Sequence, residues 1–372
     1  MTMRVLVIPD KFKGTLTSQQ AGAAIAAGWR KFRPADMVET IPMSDGGDGF
    51  GQVLSELRGA VAMPVATVDA AHRPRQAVWW HDREGGTAII ESALVVGLAL
   101  LPPGEFHPFA LDTRGLAEVF HAAQRAGARR CVVGVGGSAT NDGGMGLARG
   151  MGWRFARADG SEITAAGQLE GLAEILPPPA GDNFDELLVA VDVKNPLLGP
   201  NGCSRIFGPQ KGLRLDDMER AEAGLRRLAD ELVRVTGRDC RDAMGAGAAG
   251  GLGFGLQAFF GAKPVDGFQL ISEATRLTER LARADLVITG EGALDASSVM
   301  GKATGSVAEM CRQRGMPCLA FAGVVLNRDK LSGLFREARA LVEIAPEIEA
   351  KREAGRWLEK LAGVSAREWS GG

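Results

Sequence analysis

Short apolar runs alternate with amphipathic stretches along most of the chain. "MRVLVIP" over 3–9 has the character of a buried strand, and "TSQQAGAAIAAGWRKF" over 17–32 follows it. That second stretch opens with Thr17 and Gln20 at capping-box spacing and stops before Pro34, the signature of a helix. "MVETIPM" (37–43) and "GGDGFGQVLSEL" (46–57) repeat the strand, loop and helix. From about residue 65 the texture becomes β-rich, with "VAMPVATVDA", "RQAVWWHD" and "GTAIIE" carrying few helical signals between them. Alternation returns with "DTRGLAEVFHAAQRAG" into "RCVVGVG", then "ELLVAVDV" and a charged helical pattern from Arg214 to Val235. The tail alternates again through "ADLVITG", "KATGSVAEMCRQRG", "MPCLAFAG" and "RALVEIA", with a last helix through Trp357. Strands separated by helices predict parallel sheets in an α/β protein. The change of texture predicts a discontinuous doubly wound domain, 1–65 plus 266–372, interrupted by a second α/β domain at 66–265.

With 372 residues, 45% of them apolar, the chain is long enough for two cores. A net charge of −2 supplies no general attraction to nucleic acid or anionic lipid, so small-molecule partners are expected rather than a polyanion or a membrane. The apolar run Val5 to Ile8 is too short for a signal-peptide core, which predicts a cytoplasmic protein. The five cysteines show no CxxC spacing, and four scattered histidines give no zinc pattern, so the thiols read as core filling.

Candidate chemistry collects in five polar stretches, each beginning where a predicted strand ends: "PDKFKG", "PMSDGGDG", "GVGGSATNDGGMG", "DVKNPLLGPNG" and "TGEGALD". Ligands of open α/β sheets bind beyond the carboxyl ends of the strands, so five such loops predict one shared site, expected in the cleft between the domains. The loops carry Asp10, Asp45, Asp48, Asp142, Asp192, Glu291 and Asp295, the amides Asn141 and Asn195, and place Lys13, Lys194, Lys211 and Lys302 near them. Glycine backbone approaches an anion closely, and helix N-termini add positive dipole ends. Carboxylates would repel a phosphate unless a cation intervened, which points to Mg2+ held by carboxylates and phosphate oxygens. Any one stretch alone is ordinary turn chemistry, and Asp45 or Asp142 at a strand end also fits a helix cap. Co-occurrence carries the reading. "GAGAAG" (245–250) follows no strand, and "GVGGSA" lacks a ribose-binding acid at a strand end, so neither makes a dinucleotide site. "GKAT" at 301 is not a P-loop.

These motifs, in their order, resemble the type 1 glycerate kinases. "PDKFKGTLT", "PMSDGGDG", "GGSATNDGG", "DVKNPLLGPNG", "FGPQKG", "GAGAAGGLG" and "DLVITGEGALD" followed by "GK" match nearly end to end. The resemblance implies a flavodoxin-like domain with a second α/β domain inserted, and ATP- and Mg2+-dependent phosphorylation of D-glycerate to 2-phosphoglycerate by in-line transfer. Within that scheme Asp192 is the expected base with Asp45 second, both following buried strand runs, and Lys13 is the expected catalytic cation. Asp142, Glu291 and Asp295 are the expected metal ligands. Phosphate or substrate contacts are implied at Asp10, Gly136, Gly137, Ser138, Asn141, Gly143, Asn195, Gln210, Lys211 and Lys302. Lys11 stands where the family has Ser, Asp48 where Glu is usual, and Ser297-Ser298 where Gln-Thr is usual. Competing readings are phosphorylation at the 3-hydroxyl or of another small hydroxy acid, a non-catalytic sugar-acid sensor, and an NAD-dependent oxidoreductase.

Overall fold

The computed structural model describes residues 2–179, 184–295, 298, 303–331 and 333–369. The strands in chain order are β1 Arg4–Pro9, β2 Met37–Thr40, β3 Val61–Val68, β4 Pro74–Asp82, β5 Thr87–Glu91, β6 Arg130–Gly134, β7 Arg154–Ala156, β8 Glu174–Leu176, β9 Glu186–Val191, β10 Lys263–Asp266, β11 Leu286–Leu294, β12 Cys318–Val325 and β13 Glu337–Ala340. The chain divides into two compact units, Met1–Asp45 with Phe268–Gly372, and Gly46–Gly267.

The first unit is built on a five-stranded sheet in the order β13-β12-β11-β1-β2, parallel throughout. Counted along this unit the order is 2-1-3-4-5, the flavodoxin-like doubly wound arrangement. Helices cover both faces, which explains why β1 is a continuous apolar run rather than an alternating one. Val5 and Val7 pack with Ile25, Trp29, Leu358 and Leu361 in one core. The helix Ser18–Phe32 starts at a true capping box: Thr17 Oγ1 accepts from Gln20 N and Gln20 Oε1 accepts from Thr17 N. Such a cap contributes about 1 kcal/mol. Its Gly28 lies so close to the helix Ala354–Glu368 that an added Cβ would meet the Glu359 carbonyl oxygen at 1.9 Å. That last helix runs past Trp357 to Glu368 and is preceded by a separate short helix, Glu347–Arg352.

The second unit carries the sheet β10-β9-β6-β5-β4-β3, parallel from β10 to β5 and antiparallel from there to β3. Its core includes Ile90, Val133, Val189 and Phe120. A two-stranded sheet, β7 with β8, lies in the same unit. The first boundary falls at 45/46 rather than 65, because the helix Phe50–Arg58 belongs to the second unit. There Phe50 fills the space that a Cβ on Gly134 would occupy, and Gly51 abuts Trp80 and Glu91. Among the described residues no helix is long and apolar enough to cross a membrane.

Candidate active site

In the first unit, β1 lies between β2 and β11, so the winding reverses between β1 and β11; in such sheets ligands bind outside the carboxyl ends at that point. The register pairs Pro9 with Gly290, and Asp10 N donates to the Gly290 carbonyl at 2.8 Å, which sets Asp10 level with Glu291. Both carboxylates are buried. Burial, then the charge of Asp45, pushes the Asp10 carboxyl up to about 8; Lys11 opposes the shift and Glu291 adds to it. Lys11 therefore acts electrostatically on Asp10, and its backbone N–H donates to Asp10 Oδ1 at 2.7 Å. Lys13 is exposed, and its backbone runs so near β11 that a Cβ on Gly292 would lie 3.0 Å from Lys13 N. Asp295 follows β11, where its N–H donates to Ser298 Oγ. Lys302, and Ser297 with it, lie outside the described residues.

Clustered carboxylate oxygens whose charges oppose one another are the environment a hard cation relieves, so Asp10, Asp45 and Glu291 fit Mg2+ in donor type. Among the described residues no group of three or more His, Cys, Asp or Glu side chains is placed to hold a metal ion. Mg2+ does not require one, since it keeps waters and takes substrate phosphates as ligands.

In the second unit the carboxyl ends of β5, β6, β9 and β10 align at Glu91, Gly134, Val191 and Asp266. The loop after β6 folds against the 46–51 loop without room for side chains: a Cβ on Gly136 would lie 2.8 Å from Gly47 Cα. Gly137 has φ +59°, and its Cβ would lie 2.1 Å from Asp48 Oδ1. Glu91, which sequence reasoning did not single out, fixes the 46–51 loop by accepting from Gly49 N at 2.6 Å and Gly51 N at 3.1 Å. Its only signal in the sequence is an acid ending an apolar strand run.

Asp142 is fully buried. Its Oδ2 accepts from Thr113 N, Thr113 Oγ1 and Gly146 N, and its Oδ1 from Gly144 N. Thr113 Oγ1 in turn accepts from Leu147 N. Burial and the nearby Asp112 push the Asp142 carboxyl up, and the hydrogen bonds oppose that shift. Expected as a magnesium ligand, Asp142 is here turned inward: with four internal donors and no exposed surface, it braces the loop. Two expected ligand contacts are likewise turned inward. Asn141 Nδ2 donates to Ser204 Oγ, and Gly143 N donates to the Gly250 carbonyl.

Lys211 ends the helix Cys203–Lys211 and is only 7% exposed, with Nζ donating to Ser138 Oγ at 3.1 Å and to the Thr140 carbonyl at 2.7 Å. Burial pulls its pKa down to about 8, and the neighbouring ionisable groups Cys203 and Asp142 oppose that shift. Asp192 follows β9 directly and is exposed. Asn195 Nδ2 donates to the Asn201 carbonyl and holds its own loop, while Gln210 and Lys194 are exposed. The "GAGAAG" stretch proves to be a packing element of this site. Gly247 sits on the Pro196 carbonyl and Gly250 on the Thr140 carbonyl, at 2.4 Å and 1.9 Å from where a Cβ would stand.

Carboxylates at one reversal point and a glycine loop over a buried lysine define an α/β protein equipped for small anions and their cations. Comparison with known proteins gives the family: the model of the glycerate kinase family matches residues 5–370, and the chain belongs to that family. It is 35% identical to a glycerate kinase of Bacillus subtilis (strain 168) over 97% of this chain and 96% of that one. It is 36% identical to a glycerate 2-kinase of Escherichia coli (strain K12) over 86% and 85% of the two chains. A crystal structure of a protein from Salmonella typhimurium LT2 matches with a TM-score of 0.82 at 31% identity, covering 99% of this chain and 98% of that one. The protein is thus a phosphotransferase that uses ATP and small-molecule substrates, which sets aside the sensor and oxidoreductase readings.

Proposed function

We propose that the protein transfers the γ-phosphoryl group of ATP to the 2-hydroxyl of D-glycerate, giving 2-phospho-D-glycerate and ADP, with Mg2+. The observation that carries this reading is the buried Asp10 carboxyl, pushed up by its burial and by the charges of Asp45 and Glu291, an environment that a bound cation beside a polyanionic donor would relieve. The relative named a glycerate 2-kinase supports the position of transfer.

Asp192 accepts the proton of the acceptor hydroxyl; the hydroxyl oxygen then bonds to phosphorus as the bond to the ADP oxygen breaks. Its place at the end of β9 gives a carboxylate anchored to a sheet yet exposed to substrate. Asp45 is the second candidate. Lys13, Lys211 and the backbone around Gly136, Gly137 and Ser138 supply positive charge and N–H donors for the substrate anions. Phosphoryl transfer needs mainly such positioning and charge stabilisation. Asp10 and Glu291 would hold Mg2+, with Asp295 as a further candidate ligand, and the ion would neutralise charge on the phosphate oxygens.

An ADP-release assay tests this. Release that requires ATP, Mg2+ and D-glycerate together, and fails with L-glycerate, is the expected result. Release that is indifferent to Mg2+, or absent with D-glycerate, contradicts it.

A further inference from the structure

Burying an ammonium group is unfavourable unless a counter-charge lies beside it. Lys211 is buried, yet the partners of Nζ are a hydroxyl and a carbonyl, both neutral. An ammonium has three donors, so these two contacts leave one to spare. Two ionisable groups act on it from the packed elements. Asp142 is committed to four donors of its own. Cys203 is a buried thiol pushed up to about 12, so it carries no charge at neutral pH. The residue that receives Lys211 adds a second unmet group: Thr140 is fully buried and its Oγ1 has no hydrogen-bond partner.

We infer that Lys211, with Ser138 and Thr140, forms the subsite for the carboxylate of the hydroxy-acid acceptor, not for a phosphate of ATP. The inference rests on the kinase reading above. One ammonium whose direct partners are neutral oxygens matches a single negative charge. A triphosphate carries several, and its recognition calls for several cations or a metal ion. The first unit, with the carboxylates suited to Mg2+, fits that second requirement. Holding the acceptor by its carboxylate also explains selection of a hydroxy acid over a neutral polyol, because a buried unpaired ammonium penalises a ligand that brings no charge.

Calorimetric titration of the wild type and of Lys211→Met with D-glycerate, D-glyceramide and a non-hydrolysable ATP analogue tests the inference. Lys211→Met is expected to weaken D-glycerate about 30-fold or more, as when one partner of a buried charge pair is removed. The analogue should stay within about threefold, a difference below 1 kcal/mol. D-glyceramide, which has the same hydroxyls and no charge, should bind the wild type weakly and the variant no more weakly, and the variant should melt no lower than the wild type. Loss of analogue binding with D-glycerate retained would overturn the assignment in favour of a phosphate contact. Weakening of both ligands with a lower melting temperature would overturn it in favour of a structural brace. Failure of the wild type itself to bind D-glycerate would contradict the acceptor reading on which the inference rests.

Discussion

Gly250 presses on Thr140: a Cβ added at Gly250 would stand 1.9 Å from the Thr140 carbonyl oxygen, the same oxygen that accepts the Lys211 ammonium at 2.7 Å. A glycine in an unremarkable alanine-glycine stretch thereby fixes the acceptor of the buried lysine. Gly250 also has φ +68°, and its carbonyl accepts from Gly143 N. Gly250→Ala is expected to cost about 2–4 kcal/mol through backbone strain and the forced shift of the 140–143 loop. D-glycerate KM should rise more than ATP KM. Urea unfolding and steady-state kinetics on the variant check both parts.

The buried ammonium makes stability depend on pH. Lys211 titrates near 8 in the folded protein, because of its burial, and near 10.4 when unfolded. Between those values the unfolded chain holds a proton that the folded chain has released. This group's contribution to stability therefore rises with pH through that window, by about 3 kcal/mol. Lys211→Met removes the dependence, so the variant should exceed the wild type in stability at pH 7, with the gap closing by about pH 10. Urea midpoints across that range measure it, and parallel profiles would contradict it.

Asp142 offers a separate test of the loop. Removing the carboxylate in Asp142→Ala leaves Thr113 N, Thr113 Oγ1, Gly144 N and Gly146 N without their acceptor. A loss of about 3 kcal/mol or more is expected. In Asp142→Asn, which keeps the shape, activity should fall while the Mg2+ concentration for half-maximal rate stays unchanged. A shift in that Mg2+ requirement would restore Asp142 as a ligand.

Much of the site was legible because its elements are local. Each loop starts at the end of an apolar strand run, so the Asp-Gly strings after Ile41 and Val133, and the Asp192 stretch after Val191, declare themselves. What stayed hidden depends on partners far along the chain. The letters around Asp142 do not say whether its carboxylate points outward or toward Thr113, 29 residues away. The helix Phe50–Arg58 looks like a continuation of the first unit until Trp80, Glu91 and Gly134 are seen to receive it. "GAGAAG" fails as a nucleotide motif in the sequence, and only the fold shows that its glycines are needed where two loops meet.

Asp192 is the proposed base. Asp192→Asn should leave folding intact, since the residue is exposed. It should lower kcat by about 10²–10⁴-fold, the usual contribution of a general base. Asp45→Asn, measured alongside, separates the two candidates: the larger loss of kcat at unchanged KM marks the base, and near-normal turnover of Asp192→Asn would remove it from the mechanism.

The central claim is the chemistry itself: transfer to the 2-hydroxyl of D-glycerate. The most direct measurement couples the reaction of the purified protein with ATP, Mg2+ and D-glycerate to enolase in the absence of phosphoglycerate mutase. Enolase acts on the 2-phosphate, so formation of phosphoenolpyruvate in step with ADP release is the predicted result. ADP release without an enolase product would place the phosphate on the 3-hydroxyl and contradict the account.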